Sequence, residues 1–239
     1  MPKPTRTLLK PESWPAGHRA ALAVFVDLDP EETPWNISSP IANEAAVERL
    51  LATLADLDIV PTTIVDPDAE DSFPLPKGNQ FDPAAHLFEA PADLSAARTS
   101  CKERLGVSPR GIVMLAGLPT LGMENQNLWF VDGSGGPFPM ATAKGKVVIP
   151  YSVWWHDSTW LSTVSPSPPS ALLESWSLSL ASIRSRGELM TIILSGQVSG
   201  HPGHLETIQR FLDETIAAGD VWITNGSGIV DLVAKPAVH

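Results

Sequence analysis

Ala20-Ala21-Leu22-Ala23-Val24-Phe25-Val26-Asp27 is a continuous apolar run ending on an acid, and Leu28-Asp29-Pro30-Glu31 follows it directly. A run without polar alternation reads as a strand buried on both faces, as in a parallel sheet covered by helices. Working outward, strand-like runs alternate with stretches of helical period. A helix capped at Asn43 places Val47, Leu50, Leu51, Leu54 and Leu57 on one stripe. Residues 59–65, with Thr62, Thr63 and Val65, read as a second strand. Residues 66–91 are rich in Pro, Asp and Gly without periodicity and predict a loop. A helix is expected over 92–105 and a strand over 111–115. Residues 117–139 read as irregular, with a short strand at 128–131. A strand over 146–152 and a Pro-rich turn at 165–169 precede a helix carrying Leu172, Leu173, Trp176, Leu180 and Ile183. Strand 189–194, helix 205–218 and strand 220–224 follow. Repeated strand–helix units of this length build one α/β domain around a parallel sheet or barrel, whose site lies beyond the carboxyl ends of the strands.

Composition narrows the function. The 239 residues are 43% hydrophobic and 18% charged, with a net charge of -11. No basic run is available to neutralise phosphates, which argues against nucleic acid and anionic membrane as partners; the acidic balance otherwise favours solubility and says little about a ligand. The single cysteine, Cys101, allows no internal disulfide or thiolate metal cluster and reads as a structural thiol. The opening MPKPTRTLLKPESWP lacks an apolar signal core, and no apolar run is long enough to span a bilayer, so a cytoplasmic protein is expected. Gly133-Ser134-Gly135-Gly136 lacks the lysine and helix of a phosphate loop, and no Gly-x-Ser-x-Gly elbow occurs.

Four segments in order carry a resemblance. Trp14-Pro15-Ala16-Gly17-His18-Arg19 leading into ALAVFVDLDPEE, Pro61-Thr62-Thr63, VVIPYSVWWHD (147–157) and GHPGHLETIQRFLDETIAAGDVWIT (200–224) resemble the polysaccharide deacetylase superfamily, especially its allantoinase-like branch. The resemblance implies a distorted (β/α) barrel of about seven parallel strands. It also implies a small-molecule ligand and hydrolysis of carbon–nitrogen bonds, typically with a divalent metal held by one Asp and two His. An Asp base, an Arg beside it and a late His acid complete the family's pattern.

Mapped onto this chain, that pattern is only partly kept. Asp27 takes the base position and Asp29 the position of the metal-binding carboxylate, with Glu31 completing Asp-x-Asp-x-Glu. Alternate strand residues share a face, so the three carboxylates point one way, and gathered like charges raise at least one pKa into a range useful for proton transfer. The two imidazole positions fall on Ala84 and Phe88 with a lone His86 between them. Val113 stands where the Arg is expected, although Arg110 is close, and Ser195 stands at the late His. The resemblance therefore implies a site without metal or other cofactor. Trp154, Trp155, His156, Asp157 and Trp160 follow a strand at the expected barrel mouth. There His156 is a candidate acid, while Trp154, Trp155 and Asp157 are candidates for substrate binding. His201, next to Pro202 and near His204, is a further candidate for substrate binding or proton donation, and the His201/His204 pair reads as structural rather than metal-binding.

Two readings stand. In the first, the chain is a metal-independent hydrolase of a small amide, imide or related ring, using Asp27 as base with Asp29 and Glu31 positioning water. In the second, it is a non-catalytic pseudoenzyme that binds a ligand or supports a related active subunit. A homo-oligomer is the default expectation for the first and a partner chain for the second.

Overall fold

The computed structural model describes residues 6–28, 40–65, 82–86, 99, 102–103, 106, 108–114, 129–133, 135–142, 145–161 and 167–234. Among the described residues, ten strands join in one mixed sheet. They are β1 (Thr7–Leu8), β2 (Ala20–Asp27), β3 (Thr62–Val65), β4 (Asp82–His86), β5 (Gly111–Met114), β6 (Trp129–Asp132), β7 (Met140–Ala141), β8 (Val147–Pro150), β9 (Leu189–Ser195) and β10 (Val221–Thr224). The described helices are α1 (Pro40–Asp56), α2 (Ser158–Leu161), α3 (Pro169–Arg186), α4 (Gly196–Ser199), α5 (Pro202–Ala218) and α6 (Gly226–Val233).

Parallel pairing runs in the order β8, β6, β5, β4, β3, β2, β9, while β1 and β7 are short antiparallel additions. One edge of β2 is taken by β9 from Ala21↔Leu189 to Asp27↔Ser195. Its other edge is shared, with β10 pairing the first half and β3 the second. The two ends of this curled sheet approach each other at the bridge His156↔Ile193, where the Asp157 amide donates to the Ile193 carbonyl at 3.1 Å. The result is a distorted barrel whose seam lies between β8 and β9.

Alternation along β2 separates two cores. Leu22, Val24 and Val26 face outward and pack with Leu50 and Leu54 of α1, Trp176 and Leu180 of α3, and Phe211 of α5. Ala21, Ala23 and Phe25 face inward with Ile64, Val113, Trp129, Val131, Ile149 and Ile193. Small alanines at the start of β2 leave room for the Trp129 indole, which meets the Phe25 ring edge-on at 6.1 Å.

The base of the barrel is closed by polar contacts. The buried Asp82 carboxylate accepts from Thr62 Oγ1 at 2.9 Å, the Ser227 amide at 2.9 Å and Ser227 Oγ at 2.6 Å, tying β3, β4 and α6 together. Trp129 Nε1 donates to Ser227 Oγ at 3.2 Å. A Cβ on Gly111 would lie 2.2 Å from the Trp129 ring, and one on Gly226 would lie 2.6 Å from it. The indole is thus hemmed in from two elements. Gly111→Ala is therefore expected to destabilise the fold by about 1–3 kcal/mol through overpacking, read from the urea midpoint at unchanged slope.

Most expected strands and the expected helix faces are present, with three corrections. Residues 66–91 are not loop throughout, because β4 lies within them. Its sequence Asp-Pro-Ala-Ala-His has no apolar period, since Asp82 serves the polar base of the barrel. The helix expected to be capped at Asn43 begins at Pro40, a residue favoured in a first helical turn, and Asn43 is buried inside it. The helix expected from residue 205 begins at Pro202 for the same reason. Cys101 and most of the helix expected over 92–105 lie outside the described residues.

Candidate functional site

The strand ends where a site is expected gather around the seam. Asp27 closes β2, half-buried, and pairs in register with Ser195 at the end of β9. Tyr151 follows β8 and is 5% exposed; its amide donates to Asp132 O, and its carbonyl accepts from Gly135 N. A short 3-10 turn, Val153–Trp155, then carries the chain to His156 and Asp157.

Asp157 is completely buried. Its two carboxylate oxygens accept from the Ser195 amide at 3.0 and 2.9 Å, and Oδ1 also accepts from Ser195 Oγ at 3.0 Å. Ser199 Oγ donates to Oδ2. Ser195 immediately precedes α4 and Ser199 ends it, one turn apart, so both hydroxyls reach the same carboxylate. Charge-assisted bonds of this kind are what allow a carboxylate to be buried. His156 is buried beside it, with Nδ1 at 3.2 Å from Asp157 Oδ1 and 2.8 Å from Ser158 Oγ. With a proton, Nδ1 pairs with Asp157; without one, it accepts from the Ser158 amide at 3.2 Å.

The Tyr151 phenol belongs to this group electrostatically. Burial first, and then the carboxylates of Asp157 and Asp27, push its pKa up from 10.0 to about 12. The ring also meets the His156 imidazole edge-on at 6.3 Å. The strand ends thus hold a buried phenolic O–H, a hydrogen-bond donor, within the field of the Asp27 and Asp157 carboxylates.

Of the residues singled out in the sequence, Asp27, His156 and Asp157 come together here. Asp29 and Glu31 lie outside the described residues. Trp154 stands on the rim with 60% of its surface exposed, 6.0 Å from the Trp160 ring, while Trp155 packs partly against the outer core. The Trp154 carbonyl accepts from the indole N–H groups of Trp160 and Trp176, each at 3.0 Å, so those two rings hold the turn in place. His201 stands exposed at the first position before α5; partial desolvation of its ring, then His204 and Arg49, lower its pKa. His204 Nδ1 lies 2.9 Å from Val198 O. Sequence reasoning misses Tyr151 and the two-serine clamp, although Tyr151 stands inside the Ile149-Pro150-Tyr151-Ser152 segment that carries the resemblance.

Of the positions where the resemblance places metal ligands, Asp29 and Phe88 lie outside the described residues. Among the described residues no three His, Cys, Asp or Glu are grouped to hold an ion. The Ala84 side chain, at a position where the resemblance places an imidazole, is buried in the inner core. No helix is long and apolar enough to cross a membrane among the described residues.

The fold is a polysaccharide-deacetylase-type barrel. A protein from Mycobacterium smegmatis assigned as a polysaccharide deacetylase superposes with a TM-score of 0.77 at 24% identity, covering 96% of this chain and 95% of that one. A Puue allantoinase gives 0.73 at 17% identity over 92% and 91%. A protein from Pseudomonas aeruginosa assigned as a polysaccharide deacetylase gives 0.72 at 14% identity over 92% of each chain. No family model and no curated protein sequence matches the chain.

Proposed function

We propose that this chain hydrolyses a carbon–nitrogen bond of a small amide, imide or related ring, with Asp27 as general base and without a metal in the step. The observation that carries the reading is geometric: Asp27 ends β2 in register with Ser195 at the end of β9, Asp157 is anchored to Ser195, and the buried Tyr151 follows β8 across the same seam. Asp27 takes a proton from water as the water oxygen bonds to the carbonyl carbon. Negative charge then develops on the carbonyl oxygen, and the Tyr151 O–H donates to it, supplying electrostatic stabilisation that a Lewis acid gives elsewhere. The carbon–nitrogen bond breaks as the nitrogen takes the proton back from Asp27. Returning the proton this way asks nothing of His156, whose Nδ1 is engaged by Ser158 and Asp157. Asp157 acts as a positioning residue that fixes Ser195 opposite Asp27. The deacetylase and allantoinase neighbours make carbon–nitrogen hydrolysis the natural chemistry for the fold.

One observation favours the non-catalytic alternative: where the resemblance expects an imidazole acid, Ser195 spends its hydroxyl on Asp157. The test is a panel of cyclic and acyclic amides incubated with chelator-treated protein, with products read by mass spectrometry. Turnover that survives chelation and is lost in Asp27→Asn is the expected result. Turnover abolished by the chelator would overturn the metal-free reading. Silence across the panel from folded protein would favour the non-catalytic one.

A further inference from the structure

Three strands bring their last inward-facing side chains to one end of the barrel. Along β2 the alternation that turns Ala21, Ala23 and Phe25 inward turns Asp27 inward as well. Along β9, Leu189 and Ile193 face inward, and Ser195, two residues further on, lies in register with Asp27. Just past β8, Tyr151 joins the inner core that holds Val147 and Ile149. Two residues earlier on the same three segments stand Phe25, Ile193 and Ile149, all buried and apolar. The phenol also lies within the field of Asp27, which is one cause of its raised pKa.

Ser195 donates its hydroxyl to Asp157. Of the three end residues, Asp27 and Tyr151 are then the pair suited to proton chemistry, a base and a weakly acidic donor above an apolar floor. Hydrolysis asks such a pair to find a water and to release a leaving group. Proton transfer beside a carbonyl asks for nothing beyond the pair itself, a carboxylate to take the C–H proton and a phenol to hold the enolate oxygen. An apolar floor favours a hydrocarbon skeleton over a polar one.

We propose that the chain has a second activity, the isomerisation of small apolar ketones by proton transfer at the carbon beside the carbonyl, with Asp27 as base and Tyr151 as donor to the enolate oxygen. The proposal takes both roles from the hydrolase reading and changes the reaction and the substrate class. In a β,γ-unsaturated ketone, Asp27 takes the α-proton. The C–H electron pair becomes a carbon–carbon double bond, and the carbonyl π pair moves to oxygen, which accepts from the Tyr151 O–H. Asp27 then returns the proton to the γ-carbon, and the remaining double bond is conjugated with the restored carbonyl. No group leaves, no water is consumed and nothing is oxidised, so the step balances with the substrate alone.

The test uses the full chain and two probes. The β,γ-unsaturated isomer of cyclohexenone is followed by the ultraviolet absorbance of its conjugated product, and cyclohexanone by loss of its α-proton signals in deuterium oxide. Wild type is expected to accelerate both reactions over buffer. Asp27→Asn is expected to lower both rates roughly 10²–10⁴-fold. Tyr151→Phe is expected to lower them about 10²–10³-fold, the usual effect of removing one oxyanion donor. Phenylalanine keeps the ring that packs in the core, so this variant remains informative should the charge change at Asp27 impair folding, which circular dichroism reports. Folded wild type that accelerates neither reaction would overturn the proposal. So would rates that either substitution leaves unchanged in folded protein. Isomerisation with silence across the amide panel sinks the hydrolase reading and leaves the second activity standing. Amide turnover without isomerisation does the reverse.

Discussion

Asp157→Ala is expected to destabilise the protein by about 3 kcal/mol or more, because it strands donors that cannot reach water. The Ser195 amide is fixed by the strand and loses both of its acceptor oxygens, while the Ser195 and Ser199 hydroxyls each lose one. A single orphaned buried donor costs about 1–3 kcal/mol, and hydroxyls recover part of that by rotating. Asp157→Asn keeps one acceptor oxygen and is expected to cost about 1 kcal/mol, so the two variants separate packing from polar satisfaction. Urea unfolding at constant slope measures both. A loss below about 1 kcal/mol for alanine would show that water enters the seam and takes over the bonds. The seam is where such a loss does most harm. Among the described residues the segment after β8 meets β9 at one bridge, and the Asp157 side chain fastens β9 to that segment.

How far each part of the molecule is legible in the sequence follows from where its partners lie. β2 can be read directly because both its faces are apolar, one toward the helices and one into the barrel. β4 cannot, because Asp82 and Pro83 break any period; the acid is required by the base of the barrel, where Ser227 and Thr62 donate to it. Trp-Trp-His-Asp (154–157) stands out in the sequence as a cluster beyond a strand, and it does lie at the mouth. The division of labour inside the cluster depends on contacts distant in sequence. Asp157 faces Ser195, and the turn at Trp154 is held by Trp160 and Trp176. Tyr151 belongs to no motif of its own. Its role comes from burial and from two carboxylates, one of them supplied by another strand, and neither can be seen before the chain is folded.

Asp27→Asn is expected to lower turnover roughly 10²–10⁴-fold, the usual contribution of a positioned general base, while leaving the fold intact. The same substitution has a consequence that needs no substrate. Tyr151 is the only tyrosine of the chain, so phenolate absorbance reports it alone. In wild type the midpoint is expected at about 12, against 10.0 for an unperturbed phenol. A pKa raised on folding contributes stability that is fully present below about pH 10 and is lost as pH climbs toward 12. Allowing for screening by solvent at the mouth, that contribution is about 1–2 kcal/mol. Removing the Asp27 charge is expected to move the midpoint down only part of the way, because burial is the largest cause and Asp157 remains. Circular dichroism followed alongside separates titration of the folded protein from alkaline unfolding. A wild-type midpoint near 10 with the fold intact would mean that the phenol is open to water, and the donor assigned to the oxyanion would lose its physical basis. A midpoint that is high in wild type and unmoved in Asp27→Asn would place Tyr151 outside the field of Asp27, so that base and donor could not act on one carbonyl group. A partial downward shift together with lost turnover is the joint result that a shared site requires.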